Sequence, residues 1–466
     1  MDFQYLRKKY PKFIYERYSY GISKNNLEIL FSFRITPDIE FKPKISIENI
    51  SKSNLEKLGN ETLENLIFNL GLIEMVSYWK ATCSPKIEIM AGSLNRKQIN
   101  WWKNLITKGM GQFFYENKID FRKPDFLEII VPDKRSSTLK TKGKLTGLKN
   151  EYLVPVGGGK DSAVTMELLK KAAKNIQCFS LNPTKAALRI MKIAGCKKPV
   201  TARREIDKRL LELNRKGYLN GHTPFSAYLA FLSLLTAAIS GQKYIALSNE
   251  RSSNEGNVKY LGKAINHQWS KSFEFEDKFR DYSKKYLADN IEYFSFLRPL
   301  YEIQIAKIFS KHPQYFPSFL SCNEAYKTAS GTRKPTGEWC GNCSKCLFVY
   351  AILYPFLKGK QLSRIFKKDV FENEELLPTM QQLIGERGFK PFECVGTKKE
   401  SLAAFCLSLG RKPQLPFLLR YFKTKALSKR KSLGKESKDI LTSWNERNNL
   451  PKEFIKILRK EISKKP

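Results

Sequence analysis

The sequence predicts an α/β protein: a central, mainly parallel sheet, an N-terminal α+β domain and a helical C-terminal region. Three observations predict it. From Asn150 to about residue 305, short apolar runs alternate with helix-length segments, the order of a parallel sheet with helices on its faces. Before Asn150, alternating segments precede longer ones of helical period. Beyond Ile303 the pattern is mainly helical.

Each element follows from its residues. Asn26 to Thr36 and Ile39 to Ile50 alternate as strands do, and Leu63 to Thr82 and Lys97 to Asn117 carry a helical period. Asp133 to Gly147 is polar, basic and without a hydrophobic period, which predicts a linker or mobile loop. Tyr152 to Val156 is a short apolar strand, followed by three glycines and a helix from Ala163 to about Lys174. Ile176 to Leu181, Pro199 to Ile206 and Gln242 to Ser248 are further strands, with helices at Thr184 to Ala194 and Phe225 to Ser240. These assignments divide the chain into residues 1–147, 148–350 and 351–466, the last ending in a basic tail.

Composition narrows the function. The 466 residues suffice for two or three domains, and 42% hydrophobic content suits a globular chain. The chain has no run of about 18 apolar residues, so no membrane span is expected. The first residues mix charge with aromatics and lack a signal peptide's apolar core, which predicts a cytoplasmic protein. The net charge of +38 attracts polyanions. It is spread along the chain, though denser from Tyr421 to Lys438. A solvated surface that attracts anionic ligands is therefore preferred to a dedicated nucleic-acid face. The nine cysteines are an odd number, which argues against a disulfide framework.

Four segments carry chemistry. Gly157-Gly158-Gly159-Lys160-Asp161-Ser162 lies between a strand and a helix. Bare backbone N–H groups at a helix start make an anion cradle. Asp161 after Lys160 breaks the Walker pattern, and Ser162 stands where the dinucleotide pattern needs glycine. The second segment, Ser248 to Asn257, follows a buried strand and so belongs at the carboxyl edge of the sheet. Its carboxylates suit Mg²⁺, and Arg251 suits a phosphate or carboxylate. With Asn182, Asn249 and Glu250, Arg251 joins the loop as a candidate nucleotide-binding residue. Third, Cys340, Cys343 and Cys346 with Cys322 upstream form four thiols in 25 residues, a donor set for structural Zn²⁺ or a group of reduced buried thiols. Fourth, Lys390-Pro-Phe-Glu-Cys-Val-Gly-Thr397 sets Cys394 beside charged residues, as a thiolate base requires or as an ordinary turn into a helix allows.

The loop resembles that of the N-type ATP pyrophosphatases, Ser-Gly-Gly-x-Asp-Ser, with Gly157 in place of the first Ser. The cysteine set is similar to the zinc site of the 7-cyano-7-deazaguanine synthases. Together with Ser77-Tyr-Trp-Lys-Ala81, Trp269 to Glu276 and Trp339 to Val349, these segments resemble the ATP-dependent UDP-N-acetyl-α-D-muramoyl-L-alanyl-L-glutamate epimerases, the MurL family. The resemblance spans most of residues 65 to 405 and does not cover the tail after about Arg411. It implies an ATP pyrophosphatase-type sheet and an isomerase of peptidoglycan synthesis. That enzyme adenylates the terminal L-Glu of a UDP-linked muramoyl dipeptide, inverts it to D-Glu and releases AMP and pyrophosphate. Asp161 would assist activation, with Mg²⁺. Proton transfer requires one or two bases near the α-carbon, and the candidates are Cys394, Glu393 and His222. Two other readings stay open: a different adenylating enzyme with the same loop, such as a tRNA-modifying or 7-cyano-7-deazaguanine synthase-like one, and a non-enzymatic nucleic-acid-binding protein.

Overall fold

The computed structural model describes residues 1–50, 52–132, 145–411 and 413–464. Its strands are β1 (Lys12–Ser23), β2 (Asn26–Ile35), β3 (Ile39–Phe41), β4 (Lys44–Glu48), β5 (Lys86–Ile89), β6 (Glu128–Ile130), β7 (Lys149–Pro155), β8 (Ile176–Leu181), β9 (Val200–Glu205), β10 (Gln242–Leu247), β11 (Val258–Tyr260), β12 (Lys263–Ile265) and β13 (Glu292–Ser295). Eleven of them form one sheet in the order β13-β10-β7-β8-β9-β4-β2-β1-β5-β6, with β3 also on β2. The pairs from β13 to β9 are parallel, as are β1 with β5 and β5 with β6. The middle, β9-β4-β2-β1, is antiparallel. The sheet is thus large, mixed and mainly parallel, and β4 against β9 joins strands from before and after residue 148.

Burial explains the layers. In β7, Tyr152 and Val154 enter one core and Leu153 the other; in β10, Ala246 and Ile245 divide the same way. Successive side chains point to opposite faces of a strand, so apolar residues at every position mean helices on both faces. One face carries the helices Asn60–Glu74, Arg96–Gly109, Phe225–Ser240 and Phe273–Tyr286. The other carries Lys160–Lys171, Lys185–Ile193, Glu302–Phe309 and Ser344–Leu353. Phe225–Ser240 is buried almost all round, as its mostly apolar sequence requires.

Most expected elements appear near their expected bounds. The run Ile39 to Ile50 is two strands, β3 and β4, separated at Lys42 and Pro43, where proline cannot donate to a ladder. Lys97 to Asn117 is likewise two helices, Arg96–Gly109 and Gly111–Glu116. The expected linker falls mostly on residues 133–144, outside the described residues. The tail packs onto the body: the helix Lys452–Ser463 buries Phe454, Leu458 and Ile462, one face at a spacing of four. Phe454 meets the rings of Tyr152, Phe294 and Phe296. Cys178 and Cys196 are bonded, and the other seven cysteines are free. No helix among the described residues is long and apolar enough to cross a membrane.

Candidate active site

The glycine loop leaves β7 and opens the helix Lys160–Lys171. Gly158 has φ +94°, and a Cβ there would lie 2.8 Å from the Ala187 backbone nitrogen, so only glycine fits. Gly157 has open space about its missing Cβ. Gly159 precedes the helix in extended conformation, and its carbonyl accepts from Ser162 Oγ at 3.1 Å. Lys160 is folded inward. Its ammonium donates to Asp161 Oδ1 at 2.6 Å and to the buried Glu302. Burial pushes Lys160 down, but Asp161 and Glu302 outweigh it and hold the cation above its ordinary range.

The segment after β10 lies at the same strand-end edge. Asn249 donates to Ser295 Oγ at 3.2 Å. Glu250 is buried; desolvation first, and Glu302 next, push its carboxyl up to about 7 against the pull of Lys271. Arg251 stacks over the Tyr301 ring at 4.3 Å. Asn182 is engaged differently: its amide clamps β9, accepting from Arg204 N and donating to Arg204 O.

The second half of the site is assembled around Cys394. Lys271 Nζ donates to Cys394 Sγ at 3.2 Å, and His267 Nε2 lies 4.0 Å from the same sulfur. A chain of hydrogen bonds sets the histidine. The Gln112 amide donates to Glu116 at 2.7 Å, which turns its oxygen toward His267 Nδ1 at 2.5 Å. An amide oxygen only accepts, so the proton resides on Nδ1 and Nε2 offers its lone pair to the thiol. Burial, then Lys271, lowers His267 to about 4, which keeps it neutral. Burial pushes Lys271 down too, but Cys394 and Glu250 beside it outweigh burial and hold its charge above the ordinary range.

His222 lies against His267 with ring centroids 4.5 Å apart and the rings tilted by 50°, and its Nε2 is buried without a hydrogen-bond partner among the described residues. Desolvation, with His267 and Lys80 nearby, lowers it to about 3. Glu393 turns elsewhere: its carboxylate accepts from Lys345 N at 2.9 Å. The structure therefore gathers Cys394 and His222 about His267 and directs Glu393 to the start of the helix Ser344–Leu353.

Buried charges join the two halves. Lys345 Nζ donates to the Cys394 carbonyl and lies 3.5 Å from Glu302, which also holds Lys160. Arg298, wholly buried, donates to Glu250 O, Lys271 O, Ser253 Oγ and Glu276. It thereby fixes the loop after β10 against the turn that carries Lys271. Sequence reasoning missed Lys271, His267, Glu302, Lys345 and Arg298. Two signals were usable: Lys271 and Lys345 fall in segments that carry the resemblance, and His267 is one of three histidines in the chain.

Cys322, Cys340, Cys343 and Cys346 bring their sulfurs within 4.8 Å of one another. Gly341 N, Asn342 N and Cys346 N donate toward these sulfurs at 3.3–3.4 Å. Four soft donors so close, with N–H groups directed at them, fit a tetrahedral ion. The cluster also holds Lys345 in place between two of its members.

Glu400 yields a prediction. It is buried and accepts from Thr397 N and Thr397 Oγ1 at 2.7 and 2.9 Å. Burial pushes its carboxyl up to about 7 despite those bonds. The folded chain then keeps a proton that the unfolded chain releases, so stability from this group is complete below the ordinary carboxylate range and lost as pH rises through about 7. Glu400→Gln keeps the capping geometry and cannot ionise. Relative to the native protein it should gain about 1–3 kcal/mol between about pH 5 and pH 8, read from urea melts at both. An unchanged difference would show that Glu400 ionises without cost.

The class comes first: an α/β protein with a glycine loop at the carboxyl end of a parallel strand, linked through Lys160, Glu302 and Lys345 to a half-buried Lys–Cys–His cluster. The chain belongs to the MurL family, whose N-terminal domain model matches residues 4–296 and whose C-terminal domain model matches residues 318–418. A relative from Micromonospora sp., named UDP-N-acetyl-alpha-D-muramoyl-L-alanyl-L-glutamate epimerase, is 33% identical over 84% of this chain and 85% of its own. Relatives of the same name from Salinispora tropica and Xanthomonas oryzae pv. oryzae are each 32% identical, over 86% and 73% of this chain and 85% and 74% of theirs. No solved structure matches the chain significantly.

Proposed function

We propose that this chain is an ATP-dependent epimerase of the ATP pyrophosphatase superfamily. In this reading it acts in the cytoplasm on UDP-N-acetylmuramoyl-L-alanyl-L-glutamate, converting the terminal L-Glu to D-Glu for peptidoglycan synthesis. The observation that carries the reading is the continuity of one buried charge network. It runs from Asp161 and Lys160 in the glycine loop, through Glu302 and Lys345, to Cys394. Activation and proton transfer thus have adjoining residues. The names of the relatives support the substrate.

Activation comes first for a physical reason. A free carboxylate resists loss of its α-proton, because deprotonation places negative charge beside negative charge. A glutamate carboxylate oxygen attacks the α-phosphorus of ATP, the bond to the β-phosphate oxygen breaks, and pyrophosphate leaves. The loop N–H groups receive the anionic phosphates. Asp161 and Glu250 would hold Mg²⁺, which offsets phosphate charge when bound. The acyl adenylate has lost the carboxylate charge, so its carbonyl oxygen can accept the electron pair released at the α-carbon.

Cys394 takes that proton as a thiolate, its sulfur accepting from the Lys271 ammonium at 3.2 Å. Neutral His267, its Nε2 4.0 Å from the sulfur, is placed to accept the S–H once the thiol has formed. His222, its ring centroid 4.5 Å from that of His267 and its Nε2 unpartnered among the described residues, is the second candidate for proton transfer. Water then cleaves the acyl–AMP bond. The four clustered cysteines would hold Zn²⁺, which cross-links the segment that presents Lys345.

The direct test incubates the protein with ATP, Mg²⁺ and the L-Glu dipeptide nucleotide, then assays AMP and the stereochemistry of the glutamate. AMP together with D-Glu is expected. Retention of L-Glu throughout would overturn the reading.

A further inference from the structure

A cavity of about 960 Å³ lies beside the buried network, and no residue of the glycine loop lines it. Its walls include Arg251, Asn266 and Tyr301, the immediate neighbours of Glu250, His267 and Glu302. Lys263, Ala264 and Ile265 of β12 also line it, as do Asn445 and Arg447. These last two lie beyond residue 418, where the match to the family's C-terminal domain ends.

The charges in this cavity are unbalanced. Its acidic residues are already paired: Glu255 with Lys390, and Glu274 with Lys108 and Lys278. Arg251, Lys263 and Arg447 also line it, and none of the three has an acidic partner among the described residues. The two arginines sit over aromatic rings, Arg251 over Tyr301 at 4.3 Å and Arg447 over Phe273 at 4.8 Å. A cation–π contact restrains a guanidinium without using up its N–H donors, which can still meet an anion.

The tail segment is anchored to the body. Asn445 N donates to Pro299 O at 3.1 Å, Gln304 donates to Ser443 O at 2.8 Å, and Asn449 donates to Glu276 at 3.2 Å. Arg447 therefore stands on a segment tied to the loop after β13 and to the Arg298–Glu276 pair.

We propose that residues 441–450 complete a binding pocket for a nucleoside diphosphate, in which Arg447, Arg251 and Lys263 hold the diphosphate and Trp269 offers its apolar ring surface. The proposal rests on the epimerase reading for its choice of ligand: the pocket takes the uridine diphosphate end of the substrate, and the glutamate reaches the Cys394 cluster next to it. ATP, bound at the loop, occupies separate space. The role of the basic tail is then to finish this pocket.

UDP alone is the probe. Its affinity is measured by titration calorimetry for the full-length protein and for Arg447→Ala and Lys263→Ala. Both residues are exposed, so the fold is expected to survive, with unchanged far-UV circular dichroism as the check. Each change should weaken UDP about tenfold or more, the usual weight of a charge-assisted hydrogen bond. In turnover, the KM for the dipeptide nucleotide should rise by a similar factor while the KM for ATP stays put. Unchanged UDP affinity in both variants would overturn the proposal, as would a rise in the KM for ATP alone. The two readings separate cleanly. Epimerisation with variant-insensitive UDP binding sinks the pocket only; variant-sensitive UDP binding without epimerisation sinks the epimerase only and supports the pocket.

Discussion

Asp161→Asn is expected to reduce AMP formation at least a thousandfold while the protein stays folded. Asp161 sits in the first turn of the helix that opens at the glycine loop and accepts from Lys160 Nζ at 2.6 Å. A carboxylate at an anion cradle meets repulsion from phosphate unless a cation offsets it. Lys160 offsets it in part, and Mg²⁺ supplies the rest in the proposed mechanism. Asparagine preserves the shape and removes the charge that would position the ion. An ion in that role contributes several kcal/mol to a phosphoryl-type transition state, hence the size of the loss. Lys160 retains Glu302 as a partner, so the fold should tolerate the change. Quenched assays of AMP, with circular dichroism as the folding check, measure both. Undiminished AMP production would remove the loop from the chemistry.

Cys394→Ser should separate the two halves of the reaction. Adenylation survives, because the loop is untouched, and exchange of the glutamate α-proton with solvent falls by about 10²–10⁴, the usual contribution of a positioned base. A serine hydroxyl keeps the contact to Lys271 but is a far weaker base and nucleophile than a thiolate at neutral pH. Deuterium incorporation at the α-carbon, followed by mass spectrometry alongside AMP release, reads the two steps independently. Native rates of exchange in the variant would pass the role to His222.

What the sequence determined by itself was local. A strand, three glycines and a helix are legible as a strand-to-helix loop because each step depends only on neighbouring residues. The apolar runs of β8 and of Phe225–Ser240 likewise carry their own periodicity, and the structure keeps them at their expected bounds. The spacing of Cys340, Cys343 and Cys346 is equally local, and Cys394 stood out through its motif. β1 did not stand out: beyond its first residues it exposes alternate positions and carries charge, so its partner β2 rather than its own pattern makes it a strand. Strand order, with β4 joining β9 across some 150 residues, is a property of packing and has no local trace.

The same reason governs the site. Lys271, Lys345 and Arg298 are three among 83 lysines and arginines; the first two fall in segments that carry the family resemblance, but no local pattern marks them off from the solvated rest. Tertiary structure buries Lys345 and Arg298, half-buries Lys271 and sets the three against Cys394, Glu302 and Glu250. Charge in a desolvated place interacts far more strongly than on a surface, so burial is what turns ordinary residues into functional candidates. Burial was decided by the meeting of four distant segments, around residues 160, 250–271, 298–302 and 345–394. Periodicity extends over one helix or strand, and no pattern of that length spans such a meeting.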